Sequence, residues 1–427
     1  MQYNCKNYKY INHNFIIMIP RTILSAIEES IRFKPVTLIT GARQVGKTTL
    51  CQYLAKEHGF GYVSLATGSE RMMAIQDPKM FLTMHPAPLI IDEVQYAPGL
   101  LDVLEEIVDS EKILNGHNEG MYILTGSQAY NLMENVTQSM AGRISIIRMS
   151  PLSMNEILGR DEQPFVMDLE KKVRRSTDYK MSPTEAYDMI LRGGYPELYE
   201  KPDMRVSKFY SDYVDSYIER DVSQIVNLKD KLKFRQFMEY IASITGQELV
   251  YDKISNALGV NIRTVQSWMS VLISGGIVHL LQPYFEKSNV KRTVKRPNLY
   301  FCDTGLACYL AKIFDSETLR AGYLSGQMVE TFIVNEIMKS YDNNAESAGF
   351  YYYRDSSMNE VDLIILRDAK LTLIECKSGM TYDYNDVKSF HRLEESEFEI
   401  GPSAVICLTD RPYPLRESVY ALPLSSI

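Results

Sequence analysis

Eight consecutive residues, Gly41, Ala42, Arg43, Gln44, Val45, Gly46, Lys47 and Thr48, have the spacing G-x-x-x-x-G-K-[ST]. Residues of these types at this spacing grip phosphate. The glycines let the backbone curl so that its N–H groups converge on an anion. The lysine reaches the β- and γ-phosphates, and the threonine hydroxyl holds Mg²⁺. The apolar run Val36–Thr40 before the loop reads as a buried strand, and Thr49–Lys56 after it reads as a helix whose N-terminal dipole also faces the anion. A surface turn bearing a lysine would need neither neighbour. The expected ligand is a nucleoside triphosphate, ATP with Mg²⁺, bound by residues 41–48 and by Thr49 at the start of the helix.

Downstream, Ala87–Ile91 is a second apolar run, and it ends in Asp92 and Glu93. Strands of an open α/β sheet deliver their last residues to the carboxyl edge, where ligands bind. Asp92 is therefore the candidate for the magnesium shell, and Glu93 for polarising the attacking water. The run Gly120–Leu124 leads into Thr125, Ser127 and Gln128, candidates for contacting the γ-phosphate or the water; ordinary turn chemistry also favours these residues. Arg143 precedes another strand-like run, Ile144–Met149, and reads either as an arginine finger, in cis or across a subunit interface, or as a surface ion pair.

The C-terminal third carries a second set. Glu330 lies in the helical run Gln327–Ile337, Asp362 opens an apolar strand, and Glu375 and Lys377 alternate at the end of the next, which points them to one face. Three acids and a lysine at a sheet edge suit Mg²⁺-dependent phosphodiester cleavage. Charged residues on a solvated strand are the plainer reading.

Between the two sets the pattern is helical. Phe234, Phe237, Met238, Ile241 and Ile244 repeat at helical spacing, Val250–Leu258 forms a second helix closed by Gly259, and Asn261 caps a third with the stripe Val265, Met269, Leu272, Ile273. The runs Ile277–Pro283 and Asn298–Cys302 would be wing strands. The densest basic stretch, including Lys291, Arg292, Lys295 and Arg296, lies between them. With Arg263, Gln266, Ser267 and Ser270 on the outer face of the third helix, this predicts a winged helix. Its basic surface suits DNA or RNA, and its fold equally suits a protein partner. Trp268 could face a partner or a neighbouring domain.

At 427 residues the chain is long enough for about three domains of ~150 residues. A net charge of −8 excludes a uniformly basic nucleic-acid coat but not a local basic patch. The six cysteines are scattered without metal-site spacing, as expected of reduced cytoplasmic thiols. No apolar run approaches a membrane span, and Phe15–Ile19 is too short for a signal peptide. The expected organisation is an N-terminal arm or tail (1–17), an ATPase core (18–151), a helical lid and linker (152–227), a winged helix (228–303) and a small α/β domain (304–427).

Taken together, the phosphate loop, Ile90–Gln95, Leu124–Gln128 and Ala141–Arg143 resemble a prokaryotic AAA-type ATPase family with a C-terminal domain of unknown function. The resemblance spans Met18 to about Gly379. It implies a P-loop NTPase parallel sheet, with Lys47 in the Walker A loop and Asp92 and Glu93 as Walker B acids. It further implies a sensor at Ser127 or Gln128 and a finger-like Arg143. Gly193-Gly194-Tyr195-Pro196 and Tyr217–Asp221 also resemble the family, the former in a small helical lid, where Arg192 is a candidate phosphate contact. Asp362, Glu375-x-Lys377 and Glu330 resemble the PD-(D/E)xK nuclease superfamily, implying a restriction-endonuclease-like fold. Two functions follow. One is an ATP-driven switch or motor whose C-terminal half engages, or cleaves, nucleic acid. The other is a regulatory ATPase whose C-terminal half binds protein and cleaves nothing. A metabolic kinase is a plainer third, but no small-molecule acceptor site accompanies the loop. Oligomers are compatible with either of the first two.

Overall fold

A computed structural model describes residues 11–13, 16–126, 140–217, 231–285 and 296–427. After a short hairpin, β1 (Ile11–His13) and β2 (Ile16–Met18), and helix α1 (Leu24–Phe33), the chain builds a five-stranded parallel sheet. Its strands are β3 (Val36–Thr40), β4 (Gly61–Ser64), β5 (Leu89–Asp92), β6 (Tyr122–Gly126) and β7 (Ile144–Arg148), in the order β4-β5-β6-β3-β7. Helices α2 (Lys47–His58), α3 (Gly68–Gln76), α4 (Pro78–Met84) and α5 (Leu100–Asn115) make the crossovers. Because helices cover both faces, β3 is buried at every position. Val36 and Leu38 pack into one apolar cluster, and Ile39 into the other.

Helices α6 (Met154–Leu158), α7 (Leu169–Asp178), α8 (Pro183–Arg192), α9 (Pro196–Glu200) and α10 (Val206–Tyr217) follow. The break between α8 and α9 falls at the Gly-Gly-Tyr-Pro segment, with Gly193 as the C-cap of α8 and Pro196 opening α9.

Three helices then stack together: α11 (Lys231–Ala242), α12 (Tyr251–Leu258) and α13 (Ile262–Ser274). Gly259 caps α12 in the left-handed conformation, and the Asn261 side chain caps α13. Trp268 is buried against Phe234 and Phe237, so it belongs to the core of this unit rather than to a partner surface. Strands β8 (Gln247–Glu248), β9 (Val278–Pro283) and β10 (Asn298–Phe301) form an antiparallel set with β10 central.

This small sheet is continuous with the next. After α14 (Thr304–Leu310), α15 (Ser316–Ala321) and the long α16 (Ser325–Asp342) comes β11 (Gly349–Arg354), which pairs in parallel with β9 through Tyr351–Gln282 and Tyr352–Pro283. Strands β12 (Glu360–Arg367) and β13 (Lys370–Cys376) complete an antiparallel meander, and β14 (Glu399–Ile400), β15 (Ser403–Cys407), β16 (Tyr413–Arg416) and β17 (Val419–Pro423) extend the sheet to ten strands. The expected wing strands (277–283 and 298–302), observed as β9 and β10, thus share one sheet with the C-terminal α/β unit.

One apolar cluster runs from Ile39 and Ile147, through Tyr195, Tyr210 and Tyr213, to Phe237, Phe332 and Ile406. The parallel sheet, the helical middle and the C-terminal sheet are therefore packed against one another rather than strung on loose linkers. Among the described residues, no helix is long and apolar enough to cross a membrane.

Candidate functional site

The phosphate loop turns out of β3, the second strand from one edge, at the carboxyl side of the sheet. Gly41 is required by close approach: its φ is +147°, and a Cβ there would stand 2.1 Å from the Met149 carbonyl oxygen. Gly46, at φ +99°, is the N-cap of α2. Lys47 is buried, and its Nζ donates to the Gly41 and Ala42 carbonyls, both at 2.8 Å. Burial lowers its ammonium to about 8, against the opposing pull of Glu93 and Asp92.

The register Ile91–Leu124 between β5 and β6 sets Asp92 beside Thr125. Thr125 Oγ1 donates to Asp92 Oδ1 and accepts from the Glu93 N–H at 3.1 Å. The other Asp92 oxygen accepts from Thr48 Oγ1 at 3.1 Å and from Tyr62 OH at 2.9 Å. Burial, followed by the charge of Asp92, pushes the Tyr62 phenol up, so it remains a donor. Glu93 sits at φ +61°, a conformation that turns its carboxylate out of the strand, and Gln95 Nε2 donates to it. Lys47, Thr48 and Glu93 open on a cavity of about 570 Å³ whose apolar wall includes Met18, Met149, Leu152 and Pro196. Thr48 and Asp92 bring two hard oxygen donors together, a set that fits Mg²⁺ sharing its shell with phosphate oxygens. Arg43, Gln44 and Val45 of the loop, and Thr49, line the same cavity.

Arg143 lies elsewhere. Ile144 pairs with Val36, at the amino edge of the sheet, whereas the loop leaves from Thr40; the four steps between are roughly 13 Å of strand. Its guanidinium is bound to Asp109 at 2.7 Å and to Glu105 at 3.1 Å on α5. It therefore does not reach phosphates held by its own loop. Arg192 is likewise committed, donating to the Leu198 and Pro202 carbonyls. Ser127, Gln128 and Ile218–Asp221 fall outside the described residues, as do Lys291, Arg292 and Lys295.

Residues without a sequence signal complete the site. Arg21, 6% exposed, donates to Val45 O at 2.7 Å, to Ser150 O at 2.7 Å and to Glu156 Oε1 at 3.0 Å. Asp303 caps α14 and reaches across to Gly194 N at 2.6 Å and Tyr210 OH at 2.7 Å. Leu152 N in turn donates to Gly194 O at 2.7 Å. A Cβ on Gly194 would stand 2.5 Å from Leu152 O, so this junction needs glycine.

In the C-terminal unit, Glu330, Asp362 and Lys377 converge on a cavity of about 780 Å³ that also takes in Arg296, Arg354 and Glu360. Glu375 lies just behind. Each of the three acids already has a protein donor. Tyr300 OH donates to Glu330 at 2.6 Å, Cys376 N–H to Asp362 at 2.7 Å and Lys377 Nζ to Glu375 at 2.5 Å. Burial raises all three carboxyls above their usual range. Burial opposes the charge of Lys377, yet Asp362 and Glu375 raise its ammonium above an ordinary lysine. Among the described residues, no group of three or more His, Cys, Asp or Glu side chains is arranged to hold a metal ion. The expected four-residue set is thus brought to one place, each acid holding one protein donor. Arg263 is exposed on α13, and Arg296 and Arg354 approach Glu248 at 3.9 and 3.2 Å.

Three stretches of the chain match known family models. Residues 33–158 match the family model described as "AAA domain". Residues 184–317 and 325–427 match two models described as domains of unknown function (DUF8612 and DUF4143). An uncharacterised protein of Mycobacterium tuberculosis is 24% identical over 411 residues, covering 95% of this chain and 84% of that protein. One of Haemophilus influenzae is 23% identical, covering 70% and 78%. Among solved structures, a Walker-type ATPase of Pyrococcus abyssi aligns at 15% identity over 67% of this chain and 94% of its own, with a TM-score of 0.41. RuvB of Thermotoga maritima aligns at 18% over 63% and 93%, with a TM-score of 0.30. The N-terminal unit is a P-loop domain of the AAA ATPase type.

Proposed function

We propose that this chain is an ATP-hydrolysing switch whose nucleotide site governs the placement of a winged-helix unit and a restriction-endonuclease-like domain, and that this C-terminal half engages nucleic acid. The observation that carries the ATPase reading is the set Lys47, Thr48, Asp92 and Glu93, tied together by Thr125 at the carboxyl edge of the sheet. Lys47 and the loop N–H groups hold the phosphates. Thr48 and Asp92 would hold magnesium, which neutralises phosphate charge when bound. Glu93 accepts the proton-side contact of the attacking water, and Thr125 fixes the angle between the two acids.

The nucleic-acid reading is supported by the exposed outer face of α13, with Arg263, and by Arg296 and Arg354 at the rim of the acidic cavity. A regulatory ATPase with a protein-binding C-terminal half is the second reading. The hydrogen bonds that Tyr300, the Cys376 N–H and Lys377 give the three acids support it. ATP turnover measured with and without single- and double-stranded DNA separates the two. Stimulation by DNA, weakening with salt as neutralised phosphates release counterions, is expected. Unchanged turnover with no DNA binding at low salt would leave the protein-binding reading.

A further inference from the structure

We infer that Arg21 is a positioning residue of the nucleotide site: it holds the Val45–Gly46 peptide so that the Gly46 N–H faces the phosphates. The inference rests on the nucleotide reading above.

The geometry is specific. Among the described residues, the only cis peptide bond is Ala87–Pro88, so the Val45–Gly46 bond is trans. In a trans peptide the C=O and N–H point in opposite directions. Arg21 Nη1 takes the Val45 carbonyl at 2.7 Å from one side of the loop. The Gly46 N–H is thereby aimed to the other side. A loop that binds anions through its backbone depends on such peptide orientations, and glycine at 46 makes this peptide easy to turn. A fixed hydrogen bond is what would stop it turning.

Arg21 is itself held from two further directions. Nη2 donates to Ser150 O at 2.7 Å, and Nε to Glu156 Oε1 at 3.0 Å. Glu156 also accepts from Thr22 N and Ser153 N, at 2.9 and 3.0 Å, so the anchor cannot rotate away. The next residue, Met154, donates its N–H to Glu336 of α16 at 2.6 Å, and Lys339 bridges Glu336 and Leu152 O at 2.8 and 3.0 Å. The peptide that must face the phosphates is thus referenced to the C-terminal unit through buried, charge-assisted bonds.

R21M alone would strand the buried Glu156 carboxylate and endanger folding. The main test is therefore R21M/E156Q, in which the glutamine preserves the cap of α6. R21K, which keeps one donor for Val45, is the conservative partner. The readouts on the full chain are kcat and KM for ATP, and the inhibition constant of inorganic pyrophosphate, which reads the loop without base or sugar. One charge-assisted hydrogen bond is worth about tenfold in binding. R21M/E156Q should raise KM and the pyrophosphate constant by about tenfold together. Its kcat should stay within about threefold, because a contact made equally in ground and transition states moves only KM. R21K should fall between. Wild-type values in the folded double variant, or a fall in kcat alone, would overturn the assignment. Wild-type protein without turnover, or K47A with wild-type turnover, would instead overturn the nucleotide reading itself. If the variants do not fold, selective ¹⁵N-glycine labelling of the wild-type chain decides. Pyrophosphate should move the Gly46 amide strongly downfield, and an unmoved Gly46 resonance would overturn the inference.

Discussion

Gly276, in the turn after α13, lies directly on Ala42 of the phosphate loop: a Cβ at Gly276 would stand 3.3 Å from the Ala42 nitrogen and 3.4 Å from its Cβ. The loop that grips phosphate and the helix that presents Arg263 thus meet through backbone. If that contact couples the two, a movement of α13 should alter the nucleotide affinity, and by linkage a bound nucleotide should bear on α13.

Alanine at Gly276 meets two obstacles, the left-handed φ of +68° and the crowded Ala42. Roughly 1–2 kcal/mol of strain is expected from the first alone. G276A should melt a few degrees lower and bind ATP more weakly than the wild type, as measured by thermal melts and nucleotide titration. G68A is the control, since a Cβ at Gly68 meets nothing within 4 Å, and it should change neither quantity. Unaltered ATP affinity in G276A would show that the contact carries no coupling.

Asp303 accepts from Gly194 N, Tyr210 OH and Leu306 N, all at 2.6–2.8 Å. D303A leaves the Gly194 and Leu306 N–H groups without their acceptor, while Tyr210 OH keeps Arg192 O at 2.9 Å, and removes a helix cap, which should cost on the order of 2–4 kcal/mol. D303N, which can still accept, should lose less. Urea unfolding of the two variants checks the order; equal stabilities would mean that the junction tolerates unpaired donors.

Lys377 bonds to Glu375 within the acidic cluster. The folded-state carboxyls of Glu330, Asp362 and Glu375 are raised, so the native state holds protons that the unfolded chain has released. Their contribution to stability therefore falls as pH rises above the ordinary carboxylate range. Removing Lys377 should enlarge the effect. K377A should melt well below the wild type at pH 8 and recover much of the difference at pH 5, and adding E375Q should restore stability at pH 8. A K377A deficit independent of pH would contradict this electrostatic account.

Much of this was legible where the partners are neighbours in sequence. The phosphate loop, its strand and its helix fall within about twenty residues, and the acids at Asp92 and Glu93 announce themselves by ending an apolar run. Thr125 was readable as polar at a strand end. Its task depends on the register of β5 against β6, which no local pattern encodes. Of the two readings open for Arg143, the ion pair is the one formed, with Asp109 and Glu105; its position before a parallel strand commits it to the amino edge. Arg21 was hidden because its three acceptors, at Val45, Ser150 and Glu156, come from separate segments. Glu360 could have been found, since it precedes Asp362 by two residues and so shares its strand face. That the acids would meet Tyr300, the Cys376 N–H and Lys377 is a matter of tertiary packing alone.

The central claim is that Glu93 activates water at a site where Lys47 holds the nucleotide. Phosphate release from ATP by the wild type, E93Q and K47A, with ATP affinity measured in parallel, tests it most directly. The account predicts steady hydrolysis by the wild type, and no measurable ATP binding by K47A. In E93Q, affinity should be unchanged and turnover lowered by about 100-fold or more. Wild-type turnover in E93Q would contradict it.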